Sequence, residues 1–166
     1  MKTKIRAILL PIMLVASFGG PGPARADAVE DGVAALTAGD TKKAFELWRP
    51  LAEQGDAAAQ MLLGSLYERG AYVKQDNDEA LKWYRLSAEQ GEPLAQFNLA
   101  GMYARGQGTD RDFQLAYIWY TLSASQGFPA AAQNREAAAR FLTPQQLIEA
   151  EGTVKQCRAL GYKGCE

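Results

Sequence analysis

The chain has 166 residues, with 18 basic against 19 acidic side chains, two cysteines and no histidine. That length suits one domain with a modest core, and a near-balanced charge makes a poor polyanion binder, so nucleic acid is not an expected partner. The missing histidine removes the commonest general base, the commonest metal ligand and every Ser–His or Cys–His couple. Two cysteines with carboxylates are not a usual zinc set, so no catalytic, cofactor-binding or metal-binding residue is expected.

The first 26 residues read apart from the rest. Lys2, Lys4 and Arg6 open the chain, and an apolar run follows from Ala7 to Phe18. A Gly/Pro stretch, Gly19 to Pro23, leads to Ala24-Arg25-Ala26. Charge, a short apolar core and a small-x-small site in that order predict a secretory signal peptide over 1–26. The alternative is a retained N-terminal anchor, but the run is short of the ~20 residues that a membrane span needs. Cleavage would leave a domain over 27–166 with 14 basic and 19 acidic residues, net −5. No later apolar run is long enough to span a bilayer. The expected product is therefore periplasmic or secreted, monomeric and free of membrane contact.

The mature part repeats itself. Residues 55–91 and 91–127, aligned at an offset of 36, are identical at 16 of 37 positions, Ala59/Ala95, Leu63/Leu99, Tyr67/Tyr103, Asp76/Asp112 and Trp83/Trp119 among them. A fixed period of this length is the signature of a solenoid. The offset also aligns 40–55 with 76–91, through Asp40, Ala44, Arg49, Ala52 and Gly55. Residues 28–39 match poorly and read as a shortened opening helix. After Gly127 the Trp-Tyr pair is lost while a helical rhythm continues, as expected of a terminal cap.

Within each unit two helices are predicted. Ala59, Leu63 and Tyr67 recur at four-residue spacing on one helical face. Gly70 or Gly106 ends that helix. Asp76 or Asp112 then offers a side-chain oxygen to the first free N–H groups of the next, and Asp76 with Glu79 suggests a capping box. Ala80, Trp83, Tyr84 and Ala88 form the inner stripe, and Gly91 closes the unit. Thr143-Pro144-Gln145-Gln146 starts a last helix, with Thr as cap and Gln to complete a box. The expectation is an all-α solenoid, an α/α superhelix of about four antiparallel helical hairpins, with units near 28–54, 55–90 and 91–126 and a cap over 129–166. One hairpin cannot bury its own apolar face, so stacking supplies the core.

The pattern Ala59…Leu63-Gly64…Tyr67…Asp76…Ala80…Trp83-Tyr84…Ala88…Gly91 resembles the Sel-one-like repeat (SLR), a relative of the tetratricopeptide repeat. The next copy departs once, with Ala100 where the pattern prefers glycine. The resemblance implies an adaptor for protein complexes, in bacteria often exported and linked to the envelope. It carries no catalytic residue to transfer. A cysteine-rich branch is associated with penicillin recognition and β-lactamase activity, so an envelope hydrolase or penicillin-binding protein is the alternative reading. That branch keeps a cysteine pair in each repeat, which this chain lacks, and Ser-x-x-Lys and Lys-Thr-Gly are also missing.

Two groups of residues stand out as candidate sites. Cys157 and Cys165 are predicted to form a disulfide after export, with free thiols or a redox pair as alternatives. Motif register puts Ala58, Met61, Ser65 and Glu68 of one unit, and Leu94, Phe97, Gly101 and Ala104 of the next, near the concave side. Met61 and Phe97 either anchor a partner there or pack between hairpins. The Trp-Tyr pairs read as packing residues, because they recur at identical positions. Glu68, Asp76, Asp78 and Glu79 read as capping and solvated carboxylates rather than a catalytic pair.

Overall fold

The computed structural model describes residues 23–166, so most of the predicted signal, residues 1–22, lies outside the described residues. Eight helices follow one another, and no strand occurs among the described residues. They are α1 (Pro23–Thr37), α2 (Thr41–Glu53), α3 (Ala57–Arg69), α4 (Asn77–Ala88), α5 (Pro93–Arg105), α6 (Phe113–Ser125), α7 (Pro129–Ala139) and α8 (Pro144–Ala159). Each helix from α1 to α6 packs on the next, which makes an all-α solenoid of helical pairs. The last pair is open. Both α7 and α8 lie against α6 and scarcely touch one another.

Local chemistry sets the helix starts. Asp40, Asp56, Asp76 and Asp112 each accept a backbone N–H of the first turn, which satisfies a donor that the helix itself cannot. Thr143 and Gln146 form the expected capping box at α8. The box expected at Asp76 does not form. Asp76 N–H already donates to Tyr67 O at 3.0 Å, and the Glu79 carboxylate pairs with Lys82 instead.

The opening helix also differs from the expectation. It is 15 residues long, not shortened, and it runs through Ala24-Arg25-Ala26. The repeat is hidden there because residues 38–40 connect α1 to α2, whereas 70–76 connect α3 to α4. A connection four residues shorter shifts the register from 36 to 32. At that shift Gly32 falls on Gly64, and both do the same work. A Cβ on Gly32 would lie 2.1 Å from Trp48 Nε1, and one on Gly64 would lie 2.9 Å from Tyr84 Cδ1. Trp48 and Tyr84 are themselves one repeat apart, so each first helix gives way to a ring from the second.

The core forms two clusters. Trp48, Leu63, Leu66 and Trp83 centre the first, between α1 and α4. Leu99, Met102, Trp119 and Leu122 centre the second, which extends to α8 and includes both cysteines. Burial of such side chains contributes about 1.5–3 kcal/mol each.

Polar clasps recur between the apolar layers. Ser87 Oγ donates to Ala57 O at 2.7 Å and Ser123 Oγ to Pro93 O at 2.7 Å. Gln90 Nε2 donates to Gln60 Oε1 at 2.7 Å, and Gln126 Nε2 to Gln96 Oε1 at 2.8 Å. Gln60 and Gln96 reach back in turn to Ala52 O and Ala88 O of the preceding unit. Gln60, Gln96, Ser87 and Ser123 are all buried, so each bond replaces one that water would otherwise have made.

Candidate partner-binding surface

Helices α3 and α5 carry the residues that register placed on the concave side. Glu68 is the best connected of them. Its Oε2 accepts from Tyr84 OH at 2.8 Å and its Oε1 from Arg105 Nη2 at 3.0 Å. Three helices, α3, α4 and α5, are thereby tied at one carboxylate. Gly101 makes room for this, since a Cβ there would lie 2.9 Å from the Arg105 guanidinium. Arg105 also donates to Gln107. Burial, and then the Glu68 charge, hold the Tyr84 phenol far above its ordinary range, so Tyr84 stays a neutral donor at any physiological pH.

Met61 and Phe97 are half-buried and pack on the second core cluster. The Phe97 ring lies 5.5 Å from Tyr120 and 5.0 Å from Phe128. Both residues therefore do structural work, with one edge left at the surface. Ser65 turns its hydroxyl into its own helix and donates to Leu62 O at 2.7 Å.

Ala104 opens onto a feature that sequence reasoning missed. A shallow cavity of about 180 Å³ lies among Ala104, Arg105, Phe113, Tyr120, Asn134 and Phe141. Phe113 and Phe141 stack face to face at 4.1 Å, 9° from parallel. Phe141 is 65% exposed, and the Arg111 guanidinium sits 5.5 Å above the Phe113 ring. Burial raises the Tyr120 phenol, while its hydrogen bond with Asn134 and the nearby Arg105 oppose that shift. The cavity thus offers an aromatic floor, a guanidinium and an amide. Arg105 had a signal in the sequence, as the repeat mate of Arg69. Phe141 had none, because it lies beyond the clear repeats.

The predicted disulfide is present. Cys157 and Cys165 are bonded, with Cα atoms 5.1 Å apart, and both are buried. Among the described residues, no group of three or more cysteine and acidic side chains is arranged to hold a metal ion. No helix among them is long and apolar enough to cross a membrane.

No curated protein matches the chain in sequence. Solved structures do. A protective antigen of uropathogenic Escherichia coli with an SLR fold superposes with a TM-score of 0.79 and 30% identity, over 85% of this chain and 31% of the antigen. This chain thus spans about a third of that protein's length. A Sel1 repeat protein from Oxalobacter formigenes gives a TM-score of 0.62 and 30% identity, over 68% of this chain and 88% of the other. Three Sel1 repeats match residues 26–56, 57–92 and 93–128, more than half of the sequence, and the chain belongs to the Sel1 repeat family.

Proposed function

We propose that the protein is an exported, non-catalytic interaction module of the bacterial cell envelope, which captures a protein partner on the face shared by α3, α5 and α7. Sel1 repeat proteins are in general protein-interaction modules, which supports the reading. The observation that carries it is the aromatic cavity beside the Glu68–Arg105–Tyr84 tie. Small-molecule sites usually enclose about 300–1,000 Å³. A cavity of about 180 Å³ fits one large side chain of a partner, and such anchors dominate interface energy. The charged groups around it are engaged with each other, which favours a rigid docking surface over acid–base chemistry. The signal pattern at 1–26 and the Cys157–Cys165 bond favour an oxidising compartment.

A photo-crosslinker placed at Ala137, which lines the cavity, should trap the partner in intact cells. Phe141→Asp should abolish that capture while circular dichroism stays unchanged. Phe141 is the better probe than Phe97, whose half-buried ring would confuse lost binding with lost packing. Capture that survives Phe141→Asp would move the binding surface elsewhere. Nitrocefin hydrolysis by the purified protein would replace this reading with the hydrolase alternative.

A further inference from the structure

The C-terminal segment after α8 folds back over the solenoid and ends in a well-made contact. Glu166 Oε1 accepts from Arg85 Nε at 3.0 Å and from Tyr103 OH at 2.6 Å. Glu166 Oε2 lies 2.9 Å from Arg85 Nη2, and the same nitrogen donates to Tyr103 OH at 2.7 Å. This is the two-pronged fit of guanidinium to carboxylate, with a phenol as third donor. The contact joins residues 81 and 63 apart in sequence.

The rest of the tail is anchored as well: Cys165 is buried in the second core cluster, Tyr162 packs partly against it, and Tyr162 N–H donates to Cys157 O at 2.8 Å. The Tyr162 ring lies 2.9 Å from where a Cβ on Gly91 would stand, and Cys165 is tied to Cys157. A cleft of about 330 Å³ borders the tail, with Cys165 and Glu166 forming its wall together with Asp112, Leu115, Ile118 and Thr153.

The repeat supplies an internal comparison. Arg49 and Tyr67 occupy the positions of Arg85 and Tyr103 one unit earlier. Arg49 takes the carboxylate of Glu53, one turn along its own helix, at 2.9 Å. Glu89 stands in the same relation to Arg85, yet Arg85 turns to Glu166. The second unit thus takes its carboxylate from outside the helix. With the tail removed, Glu89 would be the local competitor, and exposed pairs of that type are weak.

We propose that Arg85 and Tyr103 form a carboxylate-binding site that Glu166 fills as a built-in ligand, and that opening the Cys157–Cys165 bond frees it for an acidic segment of a partner protein. The tail itself defines the partner's chemistry: a turn-forming segment, left-handed at the positions of Gly161, Tyr162 and Gly164, with an aromatic ring to rest on Gly91 and, four residues later, a carboxylate for Arg85. The opening step is thiol–disulfide exchange with a dithiol reductant. One reductant thiolate attacks a cysteine sulfur and the Cys157–Cys165 bond breaks. The second reductant thiolate then resolves the mixed disulfide. Cys157 and Cys165 end as two thiols, having gained two electrons and two protons, and the reductant ends as a disulfide. Once free, the tail swings on a segment containing Gly161 and Gly164, so the local concentration of Glu166 at the site falls. This surface is separate from the α3–α5–α7 face, so failure here leaves the docking proposal standing.

The test is fluorescence anisotropy with a labelled peptide copying residues 160–166 and carrying Cys165→Ser. The full chain with Cys157→Ser and Cys165→Ser should bind it at least about tenfold more tightly than the oxidised wild type, which keeps its own ligand in place. Adding Arg85→Gln to the protein, or Glu166→Gln to the peptide, should remove that gain. Wild-type protein reduced with a phosphine and alkylated provides the same measurement if the serine variant folds poorly by circular dichroism. Equal affinity for the oxidised and opened proteins, binding indifferent to Arg85→Gln, or no binding to any form would each overturn the proposal.

Discussion

The joints between the middle units and the C-terminal end of the solenoid are held together by different means. Between α2 and α6, each of these polar clasps occurs twice, with the same residue types and nearly the same distances: Ser87 and Ser123, Gln90 and Gln126, Gln60 and Gln96. Beyond Gly127 none of these clasps recurs among the described residues. There α7 and α8 both lean on α6, and a disulfide with a Glu166–Arg85 pair closes the end. Where the sequence repeats, each new unit meets a surface already shaped for it. Where the repeat stops, a covalent tie and a long-range ion pair replace the missing neighbour.

The largest blow to both regions is Trp119→Ala. Trp119 is fully buried in α6, the helix on which α5, α7 and α8 all pack. Its loss should cost about 3–5 kcal/mol in urea unfolding, and the transition should stay single if the two regions unfold together. Two separate transitions would show that the end is an independent unit. Next comes the covalent tie alone. Cys157→Ser with Cys165→Ser should cost about 2–3 kcal/mol, the loop-closure value for so short a segment without strain, and hydrogen-exchange protection should fall in α8 before α5. Gln96→Leu probes one middle joint. It removes the bonds to Ala88 O, which keeps the Gly91 N–H, and to the exposed Gln126 amide, for about 0.5–1.5 kcal/mol, and Gln60→Leu should cost the same if the joints are equivalent.

Alkali gives the finest distinction. Tyr84 belongs to the middle joints and Tyr103 to the tail contact, and burial raises both phenols above the ordinary 10.0. Both are neutral in the folded and unfolded chain below that value, so stability is fully present there. Above it the unfolded tyrosines ionise first, and stability falls as pH rises. The urea midpoint should therefore drop progressively as pH rises above about 10, and Tyr84→Phe or Tyr103→Phe should each make that drop shallower. A slope unchanged by either substitution would show that those phenols already ionise in the native state.

The fold was legible because one period governs most of the chain. The opening helix was misread for a geometric reason: a connection shorter by four residues breaks the offset without altering the helix pair. The polar clasps were present in the alignment as the identities Gln60/Gln96, Ser87/Ser123 and Gln90/Gln126. Their role was invisible because an identity does not say which way a side chain turns. Glu68 and Ala104 share one register position in the repeat, but the ties of Glu68 to Tyr84 and Arg105 depend on the angle between helices. The Phe113–Phe141 stack and the Glu166–Arg85 pair join a repeat to a segment outside it, so no periodic signal marks them.

The same pair of connections explains a residue that otherwise looks misplaced. Tyr72 and Gly108 are one repeat apart and share a left-handed backbone, both with φ of 68°. Gly108 has no alternative, since a Cβ there would lie 2.5 Å from the Asn77 carbonyl oxygen at the start of α4. Tyr72 has no long loop before it to rest against, and its ring turns to Phe45 at 5.4 Å.

The clasps also bear on how long such an array can grow. Gln60 meets the unit before it and Ser87 holds the unit it belongs to, so the joint is written wholly in residues that each copy carries. A duplicated 57–92 inserted after Glu92 would present Gln60 to Ala88 and Gly91 to the next proline-led helix, with no new residue required. Nothing in the joint counts copies. At the C-terminal helices the joint is written differently, in a disulfide and in the contact of Glu166 with Arg85.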